Sequence, residues 1–153
     1  MKKNYASLLI SVLLMGIIWF IFHRMMPSDY SKGDIPASEF STERALKHIK
    51  EISKEPHYVG SPNHPKVMNY LEKELQKLGL ETQIQQSTIL SKWNNLVETK
   101  NIIARIKGSD SSKALLLLTH FDSAPHTKSL GASDDANGLA VILEGIRTFL
   151  HNK

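Results

Sequence analysis

The chain has no cysteine, which excludes disulfides, thiolate metal ligands and cysteine nucleophiles. Any metal would have to be held by histidines and carboxylates. Aromatic residues are sparse, at 7% of the sequence, and none are interleaved with a cluster of basic residues. The formal charge of +4 over 153 residues therefore does not point to nucleic acid, since Lys2, Lys3 and Arg24 instead flank an apolar run. Low-complexity blocks and internal repeats are lacking too. So is a small-x-small cleavage site after the apolar run, where "HRMMPSDY" is bulky.

Charge is also missing from residues 5–22, "YASLLISVLLMGIIWFIF", a stretch close to the roughly 20 residues that cross a bilayer. Without a cleavage site it reads as an uncleaved signal-anchor rather than a removed signal peptide. Residues 1–24 are thus assigned to a cytoplasmic tail and transmembrane helix, in a single-pass arrangement. The two lysines before the span favour a cytoplasmic N-terminus only slightly. A short tail followed by a domain places that domain outside the cytoplasm, in a periplasm, lumen or the exterior. Residues 25–38, "MMPSDYSKGDIPAS", lack apolar periodicity and read as a linker.

Apolar periodicity resumes in residues 39–153. "FSTERALKHIKEISK" places Phe40, Ala45, Leu46, Ile49 and Ile52 on one helical stripe, with Ser41 or Thr42 as N-cap. "EPHYVGSPNHP" interrupts it. In "KVMNYLEKELQKLG", Val67, Tyr70, Leu71, Leu75 and Leu78 form a second stripe, with Pro65 in the first turn and Gly79 at the end. "LETQIQQSTIL" and "NNLVETKNIIARIKG" read as strands, and "GSDSS" as a turn. Residues 114–119, with four consecutive leucines, read as a strand buried on both faces. "LAVILEGIRTFL" reads as a helix packed on that sheet.

Between that run and that helix lies "HFDSAPHTKSLGASDDANG", residues 120–138, where an open α/β sheet places its site. His120 offers a neutral imidazole nitrogen, and Asp122 has the type and spacing to accept the other ring N–H and fix the tautomer. Asp134 and Asp135 precede the helix. One aspartate suffices to cap a helix, whereas two adjacent ones repel unless a positive charge lies beside them. His126 is a candidate substitute ligand.

"HFDS" and "GASDDANG", with "FSTERALKHI", "GSPNHPKVMNYLEKELQKLGL" and "NIIARIKG" upstream, resemble the N-terminal part of an M28-family zinc metallopeptidase. That family includes bacterial aminopeptidases and membrane-anchored endoplasmic-reticulum metallopeptidases. The resemblance runs from about Phe40 to the end. It implies an α/β, three-layer mixed-sheet zinc-exopeptidase-like fold, of which residues 39–153 form the N-terminal part. It also implies two zinc ions and a peptide substrate, with His120 a metal ligand and Asp122 orienting it. Asp134 would bridge the two metals, and Asp135 would be joined to it by a cis peptide. M20-type metallohydrolases also combine His-x-Asp with a later Gly-x-x-Asp, but usually have a longer insertion and a Lys-Gly where this chain has "DANG".

The same resemblance calls for a downstream Glu-Glu pair, containing the general base, and for a further Asp and His. After Gly138 only Glu144 and His151 remain, and both read as ordinary helix residues. The general base is therefore expected to be absent from this chain, which reads as an incomplete peptidase that would be inactive alone. The alternative is a membrane-anchored non-catalytic module in which the site loop merely caps a helix.

Overall fold

The computed structural model describes residues 2–26, 30, 34–91, 94–110 and 113–153. The chain divides into two compact units, Met1–Tyr30 and Ser31–Lys153.

The first unit is built on a single helix, α1 (Lys2–Met25). Its span Tyr5–Met25 has a mean hydropathy of 2.4 and is long and apolar enough to cross a membrane. The apolar side chains are exposed all around it, from Met25 at 78% to Ile21 at 47%. A helix apolar on every face suits a lipid surrounding rather than a single core contact.

In the second unit, α2 (Thr42–Ile52) starts at Ser41, whose hydroxyl accepts from the Arg44 N–H at 3.2 Å. This is the N-cap expected of serine at an extended residue before the first turn. Helix α3 (His64–Lys77) carries Pro65 in its first turn and is followed by Gly79 at φ 77°, the left-handed position that glycine fills without a Cβ clash. Strands β1 (Thr82–Leu90) and β2 (Leu96–Ala104) pair antiparallel in continuous register from Thr82–Ala104 to Leu90–Leu96. Helix α4 (Asn137–His151) closes the chain.

The core comprises Ile52 from α2, Val67 and Leu71 from α3, and Ala136 and Leu143 at and within α4. Ile49, Tyr70, Leu75, Ile102, Phe121 and Leu139 pack around it. The stripes anticipated on the two amphipathic helices supply most of these contacts. Leu46 and Phe40 lie at their margins, 40% and 37% exposed.

One expected element differs. Residues 114–119 form neither strand nor helix, and among the described residues the sheet contains only β1 and β2. Leu115, Leu116, Leu117 and Leu118 are 87%, 78%, 55% and 84% exposed rather than buried on both faces. An apolar run encodes a need for burial, but not the neighbouring strand that satisfies its backbone. The expected turn at residues 108–112 falls partly outside the described residues, as does the linker at 25–38. Within that linker, Ile35, Pro36 and Ala37 present backbone carbonyls to Arg44 and Arg147.

Candidate functional site

The site loop follows the leucine run from His120 and re-enters regular structure through a wide turn, Ala132–Ala136, that runs into α4. Gly131 opens the turn at φ 65°. Asp134 and Asp135 depart from helical geometry, at φ −141°, ψ 83° and φ −133°, ψ 37°, and the peptide between them is cis.

The two aspartates have different tasks. Asp135 Oδ1 accepts from the Gly138 N–H at 3.1 Å, and its Oδ2 accepts from the Thr119 hydroxyl at 2.5 Å. It therefore caps α4 and ties the turn back to the segment that precedes His120. A Cβ on Gly138 would lie 2.5–2.8 Å from the Asp135 carboxylate, which explains why the residue beneath that cap lacks a side chain. Asp134 is left with a side chain 80% exposed, its Oδ1 3.0 Å from His120 Nε2.

His120 Nδ1 lies 3.0 Å from the backbone carbonyl of Asp122 and 3.5 Å from its Oδ1. The nearer acceptor is thus the main-chain oxygen, with the carboxylate behind it. A carbonyl only accepts, so Nδ1 carries a hydrogen. Nε2 faces the Asp134 carboxylate. Partial burial acts to lower the His120 pKa. The hydrogen bonds to the Asp134 carboxylate and the Asp122 carbonyl, with both aspartate charges, outweigh it, and the net shift is upward.

His120 and Asp134 are thus brought together, with Asp122 and Asp135 beside them. Among the described residues no group of three or more potential metal-holding side chains assembles. His126 does not join the pair; it sits in the same loop at φ 57° with its ring 5.8 Å from that of Tyr58. Zinc fits the donor types, and two donors about 2.0–2.1 Å from a tetrahedral ion are about 3.3 Å apart, close to the observed 3.0 Å. The ligand count falls short, since a catalytic zinc site has three protein ligands plus water.

Several residues around the site were not recognisable as special in the sequence. His57 and His64 are 2% and 7% exposed, and His64 stacks on Phe121 with centroids 4.7 Å apart. Burial lowers the His64 pKa, opposed by the nearby Asp122 charge. His48 Nδ1 meets the Tyr70 hydroxyl at 2.7 Å; burial lowers the pKa of this histidine and raises that of the tyrosine.

Glu144, expected as an ordinary helix residue, is 1% exposed. It accepts from the Ser41 N–H at 2.8 Å, Arg44 Nε at 3.0 Å and Arg147 Nε at 2.6 Å. Burial alone would raise its pKa, but these donors more than offset it and the net shift is downward. The nearest sequence signal was an acidic residue on the apolar side of an amphipathic helix. Its arginine partner on α2 lies 100 residues away.

Residues 101–153 match the family model of peptidase family M28. Over 126 residues the chain is 30% identical to a vacuolar membrane protease of Candida albicans, covering 78% of this chain and 15% of that protein. A vacuolar membrane protease of Candida tropicalis is 30% identical over 158 residues, 92% of this chain and 17% of its own length. Among solved structures, a leucine aminopeptidase precursor from Bacteroides thetaiotaomicron superposes with a TM-score of 0.70 at 25% identity, over 78% of this chain and 45% of that one. A Zn-dependent exopeptidase from Parabacteroides distasonis superposes with a TM-score of 0.65 at 24% identity, over 74% and 42%. A Porphyromonas gingivalis glutaminyl cyclase gives 0.67 at 26%, over 74% and 41%. The chain therefore spans less than a fifth of the curated relatives and under half of the solved structures, with the zinc-exopeptidase fold. Since the family match covers the segment that holds His120, Asp122 and the Asp134–Asp135 pair, and the sequence relatives are proteases, the chain belongs to peptidase family M28.

Proposed function

We propose that this chain supplies the first part of a zinc-dependent peptidase centre. His120 and Asp134 are the metal ligands, Asp134 bridging two ions. Asp122 orients His120 through its carbonyl and carboxylate, and Asp135 fixes the turn without touching metal. The observation that carries the reading is the 3.0 Å approach of His120 Nε2 to Asp134 Oδ1, made while its neighbour takes over the capping task. With the ring hydrogen on Nδ1, facing the Asp122 carbonyl, Nε2 presents its lone pair, and Asp134 Oδ1 is already directed at the same point. Zinc in such a centre lowers the pKa of a bound water and polarises the substrate carbonyl.

The third ligand, the general base and the substrate subsites then come from sequence beyond these 153 residues. This accords with the small share of the relatives that the chain spans. Peptides with a free α-amine are the substrate class, as in an aminopeptidase. Helix α1 anchors the chain in a membrane with the following unit on the extracytoplasmic side. Membrane proteases among the relatives support the anchoring.

The test uses a longer polypeptide joining this chain to the remainder of an M28 catalytic domain. His120→Ala and Asp134→Ala should each abolish chelator-sensitive hydrolysis of aminoacyl anilides. Asp122→Asn should lower zinc affinity about tenfold, the lower end for loss of a partner behind a ligand, because the main-chain carbonyl remains. Wild-type turnover in Asp134→Ala would remove it from the ligand set. Cyclisation of N-terminal glutamine without anilide hydrolysis would move the assignment to the glutaminyl cyclase chemistry of a structural neighbour.

A further inference from the structure

We propose that His57 and Ser123 are positioning residues that clamp the two limbs of the site loop and so hold His120 against Asp134. The inference rests on the metal-ligand reading above, but its observations are independent of it. The His57 N–H donates to Ser123 Oγ at 2.9 Å, and the two residues are 2% and 1% exposed. Ser123 lies three residues after His120. Opposite them, Gly131 lies three residues before Asp134. A Cβ on Gly131 would come within 3.1 Å of Ser123 Cβ, 3.2 Å of His57 Cε1 and 3.3 Å of the Asp134 carbonyl oxygen. The connection between α2 and α3, the limb that bears His120 and the limb that bears Asp134 thus meet at one buried point.

The orientation of His57 is set locally. Its Nδ1 lies 2.9 Å from the Glu55 carbonyl, so Nδ1 is the hydrogen-bearing nitrogen, and the ring edge is turned toward Gly131. Phe121 adds a second hold on the same limb by stacking on His64. These contacts matter because residues 114–119 have no strand partner among the described residues, so no sheet ladder fixes where His120 emerges. Thr119 with Asp135 fastens the loop on one side of His120, and Ser123 with His57 on the other. Removing the Ser123 hydroxyl leaves the buried His57 N–H without its acceptor and frees the two limbs from each other.

The experiment uses the full 153-residue chain in detergent micelles. Amide hydrogen exchange is followed by mass spectrometry over residues 55–60 and 131–136, and Zn2+ affinity by competition with a chromogenic chelator. Ser123→Ala should speed exchange in both segments by about tenfold or more while α2, α3 and α4 keep their protection. It should also lower Zn2+ affinity by roughly tenfold, and Ser123→Thr, which retains the hydroxyl, should restore both. The double variant His120→Ala with Ser123→Ala should bind Zn2+ no more weakly than His120→Ala alone, since Ser123 acts through His120. Gly131→Ala, approaching the same point from the other limb, should reproduce the local loss of protection if Ser123→Ala fails to fold. Unchanged exchange at 131–136 in both variants, or additive losses of affinity in the double variant, would overturn the inference. If His120→Ala leaves Zn2+ affinity as it was, the metal reading fails instead, and the exchange data alone decide whether the clamp exists.

Discussion

At the scale of single residues, the adjacent aspartates show how position divides labour between identical side chains. Asp135 is held by Thr119 and Gly138, which leaves Asp134 directed at His120. The pair stood out in the sequence because two neighbouring carboxylates are costly unless each has a cation or donor. Glu144, His57 and His64 were not legible, because burial and a partner about 57 to 100 positions away leave no local pattern. Glu144 is the residue on which a stability measurement is most informative. It is buried between Arg44 and Arg147, whose side chains are 21% and 23% exposed. Those arginines also reach the carbonyls of Ile35, Ala37 and Glu39. Glu144→Ala would leave two guanidinium groups without their buried carboxylate and should destabilise the second unit by about 3 kcal/mol, read from the urea midpoint for protease resistance. Because the folded-state pKa of Glu144 is depressed, its contribution is present above the ordinary value near 4.5 and is lost as pH falls through the lower, folded value. The wild-type midpoint should therefore drop below about pH 4.5 more steeply than that of Glu144→Gln, and parallel curves would show that the carboxylate charge contributes nothing.

At the scale of elements, the helices were legible because their signals are local. Apolar spacing, Ser41 as the cap, Pro65 in a first turn and Gly79 at a left-handed stop all act within one or two turns. The strands β1 and β2 were legible for the same reason, since they pair with each other across a short connection. The leucine run was misplaced because strand pairing is a property of two segments. Among the described residues it has no strand partner, and the run is exposed. An unpaired, exposed apolar segment invites association. Leu116→Lys together with Leu118→Lys should shift the chain in mild detergent from large assemblies toward smaller species in light scattering, with unchanged helical circular dichroism. Equal particle sizes for the two proteins would show that this segment does not drive association.

At the scale of the whole molecule, composition marked out α1 as a candidate membrane segment, because its 21-residue span Tyr5–Met25, with a mean hydropathy of 2.4, is long and apolar enough to cross a bilayer. The proposed sidedness predicts that protease added to the extracytoplasmic face of sealed vesicles digests residues after Met25 and leaves a protected fragment containing α1. Full protection of the chain would reverse the orientation.

The site carries the remaining claim, that His120 and Asp134 are two ligands of a centre needing at least one more. The direct measurement is zinc per chain after dialysis of the 153-residue protein, with aminoacyl-anilide hydrolysis assayed in added zinc. The account predicts well under one zinc retained per chain, weaker still in His120→Ala and Asp134→Ala, and no chelator-sensitive turnover. One or more zinc ions held by a monodisperse monomer that hydrolyses the anilide, and loses activity to chelator, would contradict it.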